Sequence, residues 1–435
     1  MLWHYFRCRH RRFADRQALE HHQRRQLRRF SRRTLRLSPW FARFADRPMD
    51  EWPLMDKATM MAHFDEMNTA GLQRDALFRH ALDSEHSRDF RTTVGSYSVG
   101  LSSGTSGQRG LFVVGRRDMQ RWAGVVLAKV LPDGLRAGER VALFLRADNA
   151  LYQSVNNRWL TLRYFDLLQP FATHWTALQH YAPSLIVAPA QVLRALALAV
   201  ERGDLRLRVK KVISVAEVLE PQDRLLLARV FPAVGEIYQA TEGFLAATCA
   251  HGTLHLNEAH LHIEPLWLDS RRFVPVITDF SRHTQPIVRY RLDDVLVVRD
   301  RPCPCGNPER AISRIEGRQD DQLLLRDAHG RLCPVFADVL ARVLATHLPL
   351  TADYRLRQTD ATTLELESDA APAALEDARQ ALQQTLDKLG MATAGLIWHL
   401  VSTPLCARFD HKRRRIIRMW QPADQQPEPG ERGHE

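Results

Sequence analysis

Between residues 93 and 300 short apolar runs alternate with helical ones, and this alternation restricts the fold more than any other feature of the chain. The strand-like runs are Val141–Leu145, Leu185–Ala188, Val209–Val215, Phe273–Ile277 and Val295–Val298. Helical runs lie between some of them, notably Ala190–Glu201 and Pro221–Val230. The second opens on a proline, a favoured first helical residue. Strand–helix–strand alternation predicts α/β units built on a largely parallel sheet. Residues 1–92 read as helical, with stops at Ser38-Pro39 and Trp52-Pro53, because the residue before a proline disfavours the helical backbone. Near 318–321 the pattern changes. A hairpin (Gln322–Leu325, turn Asp327–Gly330), a helix (Pro334–Thr346), a strand (Thr362–Glu367), a helix (Ala373–Leu389) and a strand (Leu396–Val401) predict a small α+β domain over 320–420. The Pro/Gln/Glu-rich tail 421–435 is expected to be disordered. The expected organisation is α/β: a large N-terminal domain with packed helices (a helical 1–92 and a core 93–319) and a small C-terminal one.

The net charge of +11 looks at first like the mark of a nucleic-acid binder. Its distribution argues otherwise. Residues 1–45 hold 13 arginines, no lysine and two acids, Asp15 and Glu20. The other 390 residues balance 48 basic against 48 acidic groups. A charge confined to one segment predicts no specific nucleic-acid surface spread over the fold. An Arg-rich, acid-poor start also has the composition of a mitochondrial transit peptide. Within it, however, Leu27, Phe30, Leu35, Leu37, Trp40 and Phe41 form an apolar set, as in helices packed on a domain with their arginines in solvent. No uninterrupted apolar stretch reaches the about 20 residues of a transmembrane helix. Six cysteines in 435 residues are too few for a disulfide framework, and a cytoplasmic setting is expected.

The densest small-residue stretch is Leu101-Ser102-Ser103-Gly104-Thr105-Ser106-Gly107-Gln108-Arg109-Gly110. Such a loop can curl so that its N–H groups and hydroxyls cup an anion, with Arg109 adding positive charge. It lacks the ending of a Walker loop and the spacing of a Rossmann fingerprint, and by itself is equally a polar surface loop. It resembles the phosphate loop of adenylate-forming enzymes, the superfamily of acyl-CoA synthetases and adenylation domains, over Ser102 to Gly107. Arg109 and Gly110 stand where that family has Pro and Lys or Thr.

Further motifs follow in the family's order. Tyr238-Gln239-Ala240-Thr241-Glu242 resembles Tyr-Gly-x-Thr-Glu. The resemblance implies that Thr241 meets the α-phosphate and that Glu242 helps to hold Mg²⁺. Tyr290-Arg291-Leu292-Asp293-Asp294 resembles Tyr-Arg-Thr-Gly-Asp, which gives Asp294 the ribose hydroxyls. Gly317-Arg318-Gln319-Asp320-Asp321 resembles the hinge motif Gly-Arg-x-Asp-Asp, with Asp320 as the pivot of a mobile small domain. Val215-Ala216-Glu217 resembles an adenine-side Gly-Ala-Glu segment. With Pro302-Cys303-Pro304-Cys305-Gly306, it is similar to the phenylacetate–CoA ligases and the related capsule-biosynthesis and deazaflavin-cofactor adenylating synthetases. The resemblance covers roughly residues 50–420 and implies a large domain of mixed sheets.

Adenylate formation builds negative charge on the α-phosphate, and a cation aimed there stabilises the transition state. The family uses a lysine in a Gly-Lys-x-x-Arg setting. Here Asp410-His411-Lys412-Arg413-Arg414-Arg415 occupies that place. Lys412 is the expected catalytic residue, His411 replaces the glycine, and Arg413 to Arg415 read as a solvated basic run. Cys-x-Cys is by itself a weak metal signal. Some relatives in the named branch bind zinc through a Cys and a His upstream plus two cysteines near the hinge. That implies Cys249, His255, Cys303 and Cys305 as a closed Cys₃His structural site, with His251 as competing ligand.

The resemblance thus implies ATP- and Mg²⁺-dependent activation of a carboxylic acid, an aryl acid being favoured. Transfer to the thiol of CoA or of a phosphopantetheine arm on an acyl carrier protein would follow. One alternative is adenylyl transfer to a cofactor hydroxyl. Another, from a different class, is a basic nucleic-acid or anionic-surface binding protein, which leaves the ordered motifs unexplained.

Overall fold

A computed structural model describes residues 1–90, 92–102, 109–318 and 322–422. The chain divides into two compact units: Met1–Val218 with Val230–Ile315, and Leu219–Arg229 with the chain from Glu316 onward.

The first unit is organised around a 12-stranded sheet. Five of its strands, in spatial order Leu160–Asp166, Glu139–Leu145, Leu185–Ala188, Lys211–Ser214 and Val234–Ala240, run parallel. Their interior members are near-continuous apolar runs because both faces are covered. Helix Ala190–Glu201, with Leu193, Leu196 and Ala197 fully buried, is one of the covering elements. The spatial order reverses between Glu139–Leu145 and Leu185–Ala188, the position at which parallel sheets open a crevice at their carboxyl ends.

Beyond Val234–Ala240 the sheet is antiparallel through Gly243–Thr248, Leu254–Leu256 and Ala311–Arg318. It continues with Asp294–Val298, Arg272–Asp279 and His262–Trp267, and Ile287–Arg291 also pairs with Arg272–Asp279. The sheet is therefore mixed, as the family resemblance implies, and not largely parallel, as the strand–helix alternation alone suggested. The connections decide this: Ala240 pairs with Gly243 across the two residues Thr241-Glu242, whereas a parallel connection needs a crossover of a dozen residues or more.

The N-terminal helices pack on this unit. Helix Leu2–His10 lies against helix Arg116–Val130, where a Cβ at Gly124 would come within 2.7 Å of the Met1 carbonyl, so only glycine permits the approach. Buried Tyr5 accepts the Leu135 N–H at 2.9 Å. Helix Arg16–Arg33 is capped by Asp15, which accepts the Ala18 N–H. It is fastened by a bidentate Arg16–Glu258 pair (2.5 and 2.8 Å) and by Gln23, which donates to the carbonyls of Glu258 and Leu261. Phe30, Leu35 and Phe41 enter the main core and Leu27 and Trp40 pack against it, as the sequence pattern predicts. Leu37 departs from that set: it closes a single 3₁₀ turn and is 65% exposed.

The second unit carries a four-stranded sheet in the order Ile397–Ser402, Thr363–Ser368, Tyr354–Gln358, Ile416–Arg418. Helices Ala337–His347 and Pro372–Lys388 share its core through Leu340, Leu344, Leu375 and Leu382. The hairpin Leu323–Arg326 with Leu332–Val335 turns at Asp327–Gly330, as expected.

The reading of Arg413 to Arg415 as solvated is overturned for Arg413 and Arg415, while Arg414 is exposed as expected. Arg415 is 2% exposed and pairs with Glu220 (2.7 Å), Asp223 (3.0 Å) and Asp353 (2.8 Å) while lying over the Tyr354 ring. Arg413 pairs with Asp223 as well, and Tyr354 donates to Glu220 at 2.8 Å. Three carboxylates converging on one spot require a cation there, and the adjacent strand Ile416–Arg418 delivers it. Arg415→Met is predicted to lower stability by about 3–5 kcal/mol, because it strands buried carboxylates. Denaturant unfolding checks this, and an unchanged midpoint would contradict it.

Candidate functional site

Thr241 and Glu242 form the two-residue turn that joins strands Val234–Ala240 and Gly243–Thr248. Tyr238 stands on the incoming strand, largely buried. Its hydroxyl donates to Asp294 Oδ2 at 2.5 Å, across 56 residues of sequence. Tyr290, from the same motif as Asp294, lies near enough to buried Glu242 to feel its charge. Burial first, and then the Glu242 charge, push the Tyr290 hydroxyl well above the usual tyrosine value, so it remains a donor. Two motifs separated in sequence thus meet as one constellation of Tyr238, Glu242, Tyr290 and Asp294.

Arg282, absent from the sequence reading, holds the turn. Its guanidinium is buried and donates to the Thr241 carbonyl (2.6 Å), the Val113 carbonyl (3.2 Å) and Gln285 Oε1 (3.0 Å). Burial lowers its pKa, and the charges of Asp279, Asp118 and Glu242 oppose that shift. Burial likewise raises the Asp279 carboxyl. A Cβ on Gly243 would meet Asp279 Oδ2 at 3.2 Å, so glycine lets this carboxylate sit against the turn. Asp118 accepts the backbone N–H groups of His283 and Thr284. No periodicity singles out Arg282: Asp279-Phe280-Ser281-Arg282 reads as a surface turn.

The same polar cluster anchors the far end of the glycine stretch. Strands Tyr97–Leu101 and Leu111–Gly115 pair antiparallel, with Ser102 N–H donating to the Gly110 carbonyl and Gly110 N–H to Ser102 Oγ, both at 2.7 Å. Val113 N–H donates to Gln285 Oε1 and Gly115 N–H to Thr284 Oγ1. Arg109, expected to add charge to an anion cradle, instead makes a bidentate pair with Glu85 at 2.8 and 2.6 Å. Its charge is directed at helix Arg74–Ser87, which corrects the expectation. Ser103, Gly104, Thr105, Ser106 and Gly107 lie outside the described residues, as does Asp320.

Glu217 stands at the carboxyl end of the parallel strands. Arg146 (2.9 Å) and Gln191 (2.8 Å) both donate to its Oε1. Ala216, just before it, has φ +66°, a left-handed backbone that costs a non-glycine residue of order 1 kcal/mol and marks a position fixed by its surroundings. Arg318 ends the strand Ala311–Arg318. Lys412 lies in the second unit, partly buried, between the Asp410–His411 pair (2.7 Å) and strand Ile416–Arg418.

The four residues Cys249, His255, Cys303 and Cys305 bring their ligand atoms within 4.8 Å of one another. Cys249 and Cys303 sulfurs are 3.7 Å apart, close to the edge of about 3.8 Å in a tetrahedron with metal–sulfur bonds near 2.3 Å. Cys305 Sγ is 3.3 Å from His255 Nε2, and His255 Nδ1 faces the Glu309 carbonyl at 2.9 Å. A proton on Nδ1 leaves Nε2 as the donor atom, the usual support of a metal-ligating histidine. His251 is exposed and contributes only its backbone N–H, to Cys249 Sγ, so His255 takes the position the sequence left open between them. The donor set fits zinc.

Arg282→Met is predicted to cost about 3–5 kcal/mol, since it leaves the buried Thr241 and Val113 carbonyls and Gln285 Oε1 without their donor and removes the countercharge of nearby buried acids. Denaturant unfolding measures this loss, and a shift of less than about 1 kcal/mol would remove Arg282 from this role.

No protein-family model and no curated protein matches the chain. Solved structures do. A 2-hydroxyisobutyryl-CoA ligase in the postadenylation state, in complex with 2-HIB-AMP, is 16% identical, with a TM-score of 0.68 over 92% of this chain and 89% of that one. The amide bond synthetase McbA from Marinactinospora thermotolerans is 14% identical, with a TM-score of 0.52 over 72% and 66%. The anthranilate CoA ligase AuaEII, in complex with anthranoyl-AMP, is 12% identical, with a TM-score of 0.50 over 71% and 64%. This chain has the fold of the adenylate-forming ligases.

Proposed function

We propose that the protein is an ATP-dependent adenylate-forming ligase. A carboxylate oxygen attacks the α-phosphorus of ATP, the bond to the bridging oxygen breaks, and pyrophosphate leaves an acyl-adenylate. A thiol of CoA or of a carrier arm then displaces AMP to give the thioester. The observation that supports this reading is the Tyr238–Asp294 hydrogen bond, which joins two of the motifs across 56 residues of sequence. Solved structures of this fold hold acyl-adenylates and, in the 2-hydroxyisobutyryl-CoA ligase, also CoA.

In this reading Asp294 accepts the ribose hydroxyls, with Tyr238 setting its orientation. Ala216 and Glu217 border the adenine, and Arg318 belongs to the nucleotide contacts. The loop Ser102–Gly107 and Thr241 meet the phosphates, and Lys412 meets the charge that develops in the transition state. Glu242 offers the hard oxygen that Mg²⁺ requires, and such an ion would offset phosphate charge. Movement about Asp320 separates the two half-reactions. Cys249, His255, Cys303 and Cys305 hold a structural zinc that ties Leu254–Leu256 to the Cys303–Cys305 loop. The aryl acid and the phenylacetate–CoA ligase branch rest on the motifs alone.

Acid-dependent pyrophosphate exchange over a panel of aryl, fatty and amino acids tests the activity; exchange with no acid of the panel would contradict it. Lys412→Ala is expected to lower exchange about 10²–10³-fold with ATP binding nearly intact. Unchanged exchange removes Lys412 from the mechanism. Metal analysis is expected to show near-stoichiometric zinc, lost in Cys305→Ser; its absence from the purified wild-type protein would dispose of the site.

A further inference from the structure

The N-terminal arginines converge instead of scattering over the surface. On helix Arg16–Arg33, Arg24, Arg28 and Arg32 follow at four-residue steps, as do Arg25, Arg29 and Arg33. Two adjacent rows therefore run along one face of the helix, and all six side chains are exposed. With His21, most of them line an open cleft of about 380 Å³. Arg7, on helix Leu2–His10, belongs to the same field. Burial and then the guanidiniums of Arg121, Arg29 and Arg25 push it below its usual value, and His4 is driven down to about 4 by burial and then by Arg121. The two acids of this segment are engaged elsewhere: Asp15 caps its helix and Glu20 pairs with Arg16. Among the described residues no carboxylate forms an ion pair with Arg7 or with the two rows. Like charges at four-residue spacing oppose helix formation, so nothing among the described residues accounts for this arrangement.

An apolar edge adjoins it. Helix Leu2–His10 buries Tyr5 on one side and presents Leu2 (40% exposed), Trp3 (61%) and Phe6 (44%) on the other. The Arg7 guanidinium lies 4.8 Å from the Trp3 ring, which makes the apolar edge and the basic field continuous.

Two polyanions offer complementary charge: a nucleic-acid strand and an acidic bilayer. A strand stacks its bases on open aromatic faces. Here Arg7 lies over Trp3, Phe6 stacks on His10 with an interplanar angle of 9°, and Leu2 has no face to offer. A bilayer asks for something different, namely bulky apolar and tryptophan side chains at the headgroup boundary with cations beside them. Arginine, unlike lysine, also grips phosphate oxygens in pairs. We infer that this face docks on an anionic lipid surface. Leu2, Trp3 and Phe6 enter the headgroup boundary, and the rows Arg24–Arg28–Arg32 and Arg25–Arg29–Arg33 lie on acidic headgroups. The enzyme would then work at a membrane surface without spanning it; among the described residues no helix is long and apolar enough to cross one.

Flotation of the full chain with vesicles tests this, using phosphatidylcholine alone and phosphatidylcholine mixed with phosphatidylglycerol, at low and high salt. Binding is expected only to the mixed vesicles and is expected to weaken as salt screens the charges. The triple variant Arg24→Gln, Arg28→Gln, Arg32→Gln is expected to lower partitioning about a hundredfold, at roughly fivefold per arginine. Trp3→Ser with Phe6→Ser, which leaves the buried side of the helix intact, is expected to lower it about tenfold or more. An unchanged thermal transition shows that each variant is folded. Absence of binding to the mixed vesicles at low salt overturns the inference, as does binding indifferent to both variants. So does retention of a single-stranded oligonucleotide through the same arginines without vesicle binding.

Discussion

Arg282 carries a guanidinium into the interior of the large unit and there grips the carbonyls of Thr241 and Val113 and the side chain of Gln285. A buried cation costs several kcal/mol of desolvation unless acceptors and countercharges surround it, and Asp279, Asp118 and Glu242 supply the charge. The arrangement constrains three stretches at once: the strand leaving the glycine stretch, the Thr241-Glu242 turn, and the segment 279–285. Through that single group the Glu242 turn is tied to strand Leu111–Gly115. The turn would be free to rotate its carboxylate if the Thr241 carbonyl were solvated. Because the carbonyl is tied down, the turn holds Glu242 in place, and the neighbouring Tyr238 keeps its hydroxyl on Asp294.

What the sequence discloses follows from how each element is buried. Leu185–Ala188 and Ala190–Glu201 are covered enough to be wholly apolar or strictly periodic, and the expected bounds match the observed ones. Leu160–Asp166, the edge strand, escapes notice because exposed Thr161 and Arg163 break its apolar run at Leu160, Leu162 and Tyr164 into single residues. Val234–Ala240 and Gly243–Thr248 are legible through the chemistry of the turn between them, not through periodicity. Arg415 is the opposite case. In the string Lys412-Arg413-Arg414-Arg415 nothing separates a solvated cation from a buried one. The acids that decide it, Glu220, Asp223 and Asp353, lie some 60 to 195 residues away.

The same holds for the site. The motifs name Tyr238, Glu242 and Asp294, but their union depends on packing between distant strands. Cys249 and Cys303 are 54 residues apart, and only the fold of the antiparallel strands puts their sulfurs 3.7 Å from each other. The net charge of +11 separates in the same way. The Tyr238–Glu242 and Tyr290–Asp294 motifs occupy the electrically balanced part of the chain, where buried acids and arginines pair off. Most of the excess sits on two helices whose inner faces belong to the core and whose outer faces are directed at solvent.

The most direct measurement is ATP binding to the wild-type chain and to Asp294→Ala by titration calorimetry. If Tyr238, Glu242, Tyr290 and Asp294 form one nucleotide site, the wild-type protein binds ATP. Loss of the carboxylate should weaken binding about tenfold or more, the expected effect of removing hydrogen bonds to a charged acceptor. A wild-type chain that does not bind ATP, or an affinity untouched by Asp294→Ala, would contradict the assignment.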